Sequence, residues 1–208
     1  MKNKKIWLFS IISLLTLASC DALLLEKKDN ANKSPSPSVS STPAPSTSPA
    51  STVQEDAPKV VDITDFMQKY SSISKPEDLV KIFLDNIFGY LDPAKKDKSA
   101  AIIAVLINAP TWETQAGSLS FFRTKLKDMP YIFRSYAKGS SPENNYQMNP
   151  DNYEIEITKS EKVDDATQKV FIKSSGADYP RPVTLKKTKE GFWIVHEFSS
   201  LYVDVRKP

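Results

Sequence analysis

Around residue 150 the apolar side chains of this chain change their spacing. Before that point they recur every three or four residues, as on one side of a helix. Beyond it they alternate with polar residues, as on one face of a strand. Helices followed by a run of antiparallel strands cannot supply the crossovers that a parallel sheet requires. The expected class is therefore α+β, with N-terminal helices packed on one face of an antiparallel sheet.

Four helices are expected in the first half. Ile63 to Tyr70 is one, with Asp62 before it as a cap. Ser74, Pro76 and Glu77 form a second start signal, in which Ser74 caps and Glu77 completes a capping box. Leu79, Ile82, Phe83, Ile87 and Tyr90 then carry that helix to Gly89 or Leu91, before Asp92-Pro93. Ser99 to Ile107 is very apolar, and Ser118 to Lys127 sets Leu119, Phe122 and Leu126 inward. Tyr131 to Tyr136 reads as either a helical turn or a short strand.

Five strands follow: Tyr153 to Ile157, Gln168 to Lys173, Val183 to Lys187, Phe192 to Phe198 and Leu201 to Val205, with Glu190-Gly191 as a hairpin turn. Such a meander of about five strands, curved around the helices, is similar in outline to the NTF2-like cones and less closely to cystatin-like folds. That likeness concerns architecture alone. The sequence contains no internal repeat.

The front of the chain has a different character. Lys2, Lys4 and Lys5 precede an apolar run from Ile6 to Leu17, shorter than the roughly 18 residues of a spanning helix. The run ends at Leu17-Ala18-Ser19-Cys20, which resembles a bacterial lipobox. That resemblance implies lipidation of Cys20, cleavage after residue 19, and an extracytoplasmic protein lipid-anchored to the bacterial cell membrane or the outer membrane. Cys20 is the only cysteine, so disulfides and thiolate metal clusters have no ligands.

From Ser34 to Val53, 16 of 20 residues are Ser, Thr or Pro. A segment of that composition buries too little apolar surface to offset the entropy of ordering, and its prolines extend it. The expected organisation is a leader over 1–19, a tether over 20–58 and a single α+β domain over 59–208. Loss of Lys2, Lys4 and Lys5 with the leader takes Lys and Arg from 28 to 25, equal to the 25 acidic residues. No basic stripe is left to attract nucleic acid.

Catalytic patterns are scarce. His196 is the only histidine and falls in a strand beside Phe192, Ile194 and Phe198, so it reads as a packed or rim residue. Glu143, Asp178 and Glu197 are the carboxylates that a hydrolase would need to bring together at a defined separation. Asp151 and Asp164-Asp165 lack the ladder of oxygens of a calcium loop. Ser174-Ser175-Gly176 lacks a nucleophile elbow and reads as a turn. No metal or other cofactor is expected.

Several short segments have a more specific wording. Arg134-Ser135-Tyr136, Ser141-Pro142-Glu143-Asn144, Ser174 to Asp178, Pro180-Arg181-Pro182, and Trp193 with Glu197, Ser199, Ser200 and Leu201 resemble a bacterial family known as domain of unknown function 6935. The resemblance runs from about Trp112 to Pro208. Asn145 stands where the family pattern has glycine, and asparagine tolerates the left-handed backbone that a turn there needs. The family implies boundaries and no activity.

Two polar loops, Ser141 to Asn145 and Gly176 to Pro182, are bordered by Tyr146 and Tyr179. Asp178 and Arg181 form either a local loop-stabilising pair or part of a recognition edge made by Arg134, Tyr136, Glu143, Asn144, Tyr146, Asp178 and Arg181. In that edge Arg134 or Arg181 receives an anionic or carbohydrate partner and the tyrosines stack on it. The expected function is a non-enzymatic envelope module, held at the membrane through Cys20, that binds or scaffolds an envelope protein or glycan. A small-molecule or carbohydrate sensor with an internal polar pocket and a carboxylate-pair hydrolase are the alternatives.

Overall fold

The apolar stripe of the second helical segment organises the fold. The computed structural model describes residues 61–208; the leader, Cys20 and the Ser/Pro/Thr-rich segment lie outside them. Five helices come first: α1 (Thr64–Ser71), α2 (Asp78–Leu91), α3 (Lys96–Leu106), α4 (Ser118–Asp128) and the single turn α5 (Tyr131–Arg134). Four strands follow: β1 (Ile157–Lys162), β2 (Thr167–Ile172), β3 (Arg181–Lys187) and β4 (Trp193–Glu197). Short 3-10 turns occupy Pro142–Asn144 and Ser199–Tyr202.

In α2, Leu79, Val80, Phe83, Leu84, Ile87 and Phe88 are all buried. That is a broad face, and each such side chain contributes roughly 1.5–3 kcal/mol on burial. It meets Val170 and Ile172 of β2, Val183 and Leu185 of β3 and Val195 of β4 in one core. Phe83 stands edge-on to Phe198 at 5.0 Å, and Phe122 of α4 meets Phe198 edge-on at 5.1 Å. The one apolar-run helix, α3, approaches α2 so closely that Gly89 has Ser99 directly above its Cα. Trp112 closes that end, its indole N–H donating to the Ala100 carbonyl at 3.0 Å.

The second helix does not start where the capping pattern places it. It begins at Asp78, no side chain caps it, and Glu77 instead accepts hydrogen bonds from Ser160 and Gln168, each at 2.7 Å. A residue expected to close a local box thus ties the helix to β1 and β2. Asp62 does act at the first helix, its carboxylate taking the Thr64 N–H at 2.9 Å. Pro130 sits before α5, and the Tyr131 segment is helical.

The expected curved sheet of about five strands in an NTF2-like or cystatin-like cone is not what forms. The sheet is an open antiparallel meander of four strands in the order β1-β2-β3-β4, neither closed nor strongly curled. Two physical reasons account for the difference. Tyr153 and Ile155 do pack inward, but the chain there makes isolated bonds rather than a ladder, Lys138 N–H to Glu154 and Lys173 N–H to Glu156. Pairing starts only at Ile157. At the other end Leu201 and Tyr202 are consecutive and both buried, which a strand covered on one face cannot achieve; Ser199–Tyr202 is instead a 3-10 turn, and Asp204 has φ 48°.

The edge strand β1 is almost wholly exposed and carries Lys159, Glu161 and Lys162, with an irregular register between Ile157 and Lys159. Charge and irregularity both discourage further strand addition. Among the described residues no helix is long and apolar enough to cross a membrane.

Candidate functional site

The segments that carry the family wording fold onto one another at the end of the sheet where β2 finishes and β3 begins. Buried serines hold them. Ser135 and Ser174 share a hydrogen bond of 2.7 Å, and Ser135 also donates to the Ile132 carbonyl at 2.6 Å. Ser140 donates to the carbonyls of Arg134 and Ala137, both at 2.8 Å, and the Ser175 N–H donates to the Ser135 carbonyl at 2.8 Å. Small hydroxyls satisfy buried backbone groups here without taking up the volume of a longer polar side chain.

A strap over 203–206 completes this region. The Tyr146 hydroxyl donates to the Arg206 carbonyl at 2.7 Å, and the Arg206 N–H donates to the Gly176 carbonyl at 2.8 Å. The Arg206 guanidinium pairs with Asp178 at 3.2 Å, so Asp178 binds the strap rather than Arg181. Arg181 donates to the Asp204 carbonyl at 2.9 Å, and its Nε is buried without a partner.

Most residues of the predicted recognition edge are thus engaged by the fold itself. Tyr136 is buried, donates its hydroxyl to the Leu201 carbonyl at 2.8 Å, and burial raises its pKa far above the ordinary phenol value. Tyr146 is buried and stacked on Tyr131 at 5.7 Å. Neither ring offers a face to a ligand. Asn144 is consumed by the turn: its carbonyl oxygen takes the N–H of Ser141 and its amide donates to Gly139, both at 2.9 Å. Asn145 and Tyr146 adopt the left-handed conformation, with φ 56° and 52°. Glu143 is exposed, and hydrogen bonds from its own backbone N–H and from Ser141 hold its carboxyl below the usual range.

Arg134 is the exception. It is exposed at the end of α5, its guanidinium has no hydrogen-bond or ion-pair partner among the described residues, and it opens onto a groove of about 690 Å³. Phe88, Leu91, Pro93, Met148 and Pro150 give this groove an apolar lining, while Asp92 and Gln147 add a carboxylate and an amide. The groove lies where α2 ends, and Lys95, close in sequence to Pro93, pairs with Asp151 at 2.8 Å and with Asp92 at 3.7 Å. A donor fork, an acceptor and an amide over an apolar floor can bind a polar ligand through several directional bonds. Asp92 and Gln147 could not be singled out from the sequence. They belong to a helix end and a turn, and only the fold sets them opposite Arg134.

Of the other residues weighed for chemistry, Asp178 pairs with Arg206, while His196 and Glu197 lie together at the end of β4. His196 is exposed on β4 and borders a small hollow of about 190 Å³ with Glu197, Ser199 and Tyr202. Glu197 accepts the Ser199 N–H at 2.7 Å and so holds the turn that follows β4. Its carboxyl lies below the usual range, since hydrogen bonds from the Ser199 side chain and the backbone outweigh burial. Among the described residues no group of three or more His, Cys, Asp or Glu side chains could hold a metal ion.

No curated protein and no solved structure matches the chain. The family match is longer than the motifs alone imply, covering residues 58–208 and hence the helices as well as the motif-bearing loops. With that span the chain belongs to the family described as domain of unknown function (DUF6935).

Proposed function

We propose that this protein is a secreted, lipid-anchored module of the bacterial envelope, held through Cys20, whose domain binds a saccharide in the Arg134 groove without transforming it. The observation that carries the binding reading is the unpartnered Arg134 guanidinium facing a groove that also contains Asp92 and Gln147. A sugar presents adjacent hydroxyls that both donate and accept, and its C–H faces suit the apolar side chains of Leu91, Met148 and the two prolines. A guanidinium fork binds two such oxygens, or the carboxylate of an acidic sugar, at once.

The mixed charge of the groove favours this over a strongly anionic polymer, because Asp92 and the carbonyl end of α2 oppose concentrated negative charge. The anchor is supported by the lipobox-like Leu17-Ala18-Ser19-Cys20 and the polar segment after it.

The unit Gln54–Pro208 contains the whole described core and is suited to solution work. Titration of that fragment with soluble amino-sugar and uronic-acid oligosaccharides, followed by amide chemical shifts, is expected to move Arg134, Gln147 and Met148. Arg134→Ala is expected to weaken binding by about tenfold or more, the loss of one or two charge-assisted hydrogen bonds. Saturable shifts that map elsewhere and survive Arg134→Ala would disprove the assignment of the groove. The anchor is tested separately by incorporation of labelled fatty acid, expected to vanish in Cys20→Ser.

A further inference from the structure

At the opposite end of the sheet from the serine cluster, several apolar side chains are left in solvent together. Phe66 stacks on Tyr70 at 5.4 Å and Tyr70 on Phe192 at 5.7 Å, which places α1 against the β3–β4 hairpin; the Tyr70 hydroxyl donates to the Trp193 carbonyl. The β1–β2 turn lies beside that hairpin, because the Lys187 N–H donates to the Ala166 carbonyl at 2.8 Å. At this one end Met67 is 40% exposed, Phe192 38% and Val163 59%. Half of the large apolar side chains exposed among the described residues thus belong to two adjacent turns and the first helix.

We infer that this end of the domain is a membrane-contact surface, which rests on the lipid-anchor reading above. Its occupant is the bilayer to which Cys20 is proposed to be fixed. Three observations support that choice over another protein. The described chain enters the domain at α1, so the surface adjoins the point from which the polypeptide leads back toward Cys20. The apolar side chains project from short turns and a two-turn helix, as separate prongs and not as a groove that would receive a peptide. Exposed Lys69, Lys162, Lys187 and Lys189 surround them, and long ammonium side chains reach headgroup phosphates while their methylenes stay in the interface.

Asp65, Asp164, Asp165 and Glu190 lie among those lysines and nearly balance them. The contact is therefore driven by insertion of Met67, Val163 and Phe192, with little dependence on anionic lipid. Charge alone does not draw the domain down. The tether keeps the bilayer near, so three partial insertions suffice for a reversible contact.

Trp193, next to Phe192 in the chain, is a native reporter. Residues 20–208, purified without the leader, are coupled through the Cys20 thiol to a maleimide lipid in phosphatidylcholine vesicles. This fixes the chain to the bilayer whether or not a cell lipidates Cys20. Brominated acyl chains are expected to quench tryptophan emission in the unaltered chain and to do so much less in Met67→Ser/Phe192→Ser. Val163→Ser, a solvent-exposed change that spares the ring stack, is expected to give an intermediate loss of quenching. Equal quenching in all three chains, or none in any, overturns the surface. An emission change that appears without bromine and grows with surface density identifies a second copy as the occupant and also overturns it. Failure of Cys20 to take up fatty acid in cells, with quenching intact, removes the anchor and leaves the surface standing.

Discussion

Replacing Gly176 with alanine should cost this domain a large part of its stability, although the glycine needs no unusual backbone angle. A Cβ at this position would lie well inside contact distance of the Tyr146 hydroxyl and 2.6 Å from Val205 Cγ1. Neither neighbour is free to move. The tyrosine ring is buried and stacked on Tyr131, its hydroxyl is bonded to Arg206, and Val205 belongs to the strap held by the same residues. Overpacking of this kind costs about 1–3 kcal/mol. Displacing the hydroxyl adds about 0.5–1.5 kcal/mol for its hydrogen bond. The sum, about 1.5–4.5 kcal/mol, is a substantial fraction of the roughly 5–15 kcal/mol typical of a domain. Urea unfolding of Gln54–Pro208, read by tryptophan fluorescence, measures it. Tyr146→Phe alone should cost about 1 kcal/mol, and the double variant should cost less than the two singles together, because the atom that the methyl strikes is gone. A loss below about 0.5 kcal/mol for Gly176→Ala, or strict additivity, would refute the argument that Tyr146 and the strap are locked against this glycine.

Gly89→Ala should destabilise by about 1 kcal/mol despite the helix-favouring substitution, because the new methyl meets Ser99; Gly89→Ala/Ser99→Ala should recover most of the loss in the same unfolding assay. Glu77→Ala should cost about 1 kcal/mol through the lost bonds from Ser160 and Gln168. Burial raises the Glu77 pKa, but its hydrogen bonds from the backbone, Ser160 and Gln168 prevail and hold it below 4.5, so its contribution is full above that pH and is lost as pH falls through the folded value. Glu77→Gln should flatten that acid limb. Burial pushes the Tyr70 and Tyr90 phenols up to about 12, so the stability they carry is complete below pH 10 and is lost as pH rises toward 12. Absorbance of phenolate during alkaline titration should show this late ionisation, and Tyr70→Phe should shift the unfolding midpoint upward in pH.

The sequence made the helices and the central strands legible because burial there follows a regular period. Leu79, Phe83 and Ile87 mark one side of α2, and Val170 with Ile172, or Val183 with Leu185, mark one face of a strand. Alternation reports which way side chains face and not whether the backbone pairs, which is why Tyr153 to Ile157 reads as a strand although pairing begins only at Ile157. Leu201 to Val205 fails for the converse reason, since its two best-buried residues are neighbours. At the site, Arg134 could be singled out as a charged residue in a distinctive motif. The burial of Tyr136 and Tyr146 could not, because a tyrosine that stacks on a ligand and one that donates inward to a carbonyl have the same sequence signature. The exchange of partners by Asp178, from Arg181 to Arg206, depends on a strap that arrives 28 residues later.

That strap also bears on how the domain is assembled during synthesis. Tyr136 reaches Leu201 across 65 residues and Tyr146 reaches Arg206 across 60, so neither bond can form until most of the sheet has been made. Contacts of such long sequence separation form slowly, because the intervening loop must close before they contribute. A nascent chain emerging N-terminus first can make its helices early, and the serine cluster once residue 175 is free, yet Tyr136 stays unlocked until residue 201 has emerged and Tyr146 until residue 206.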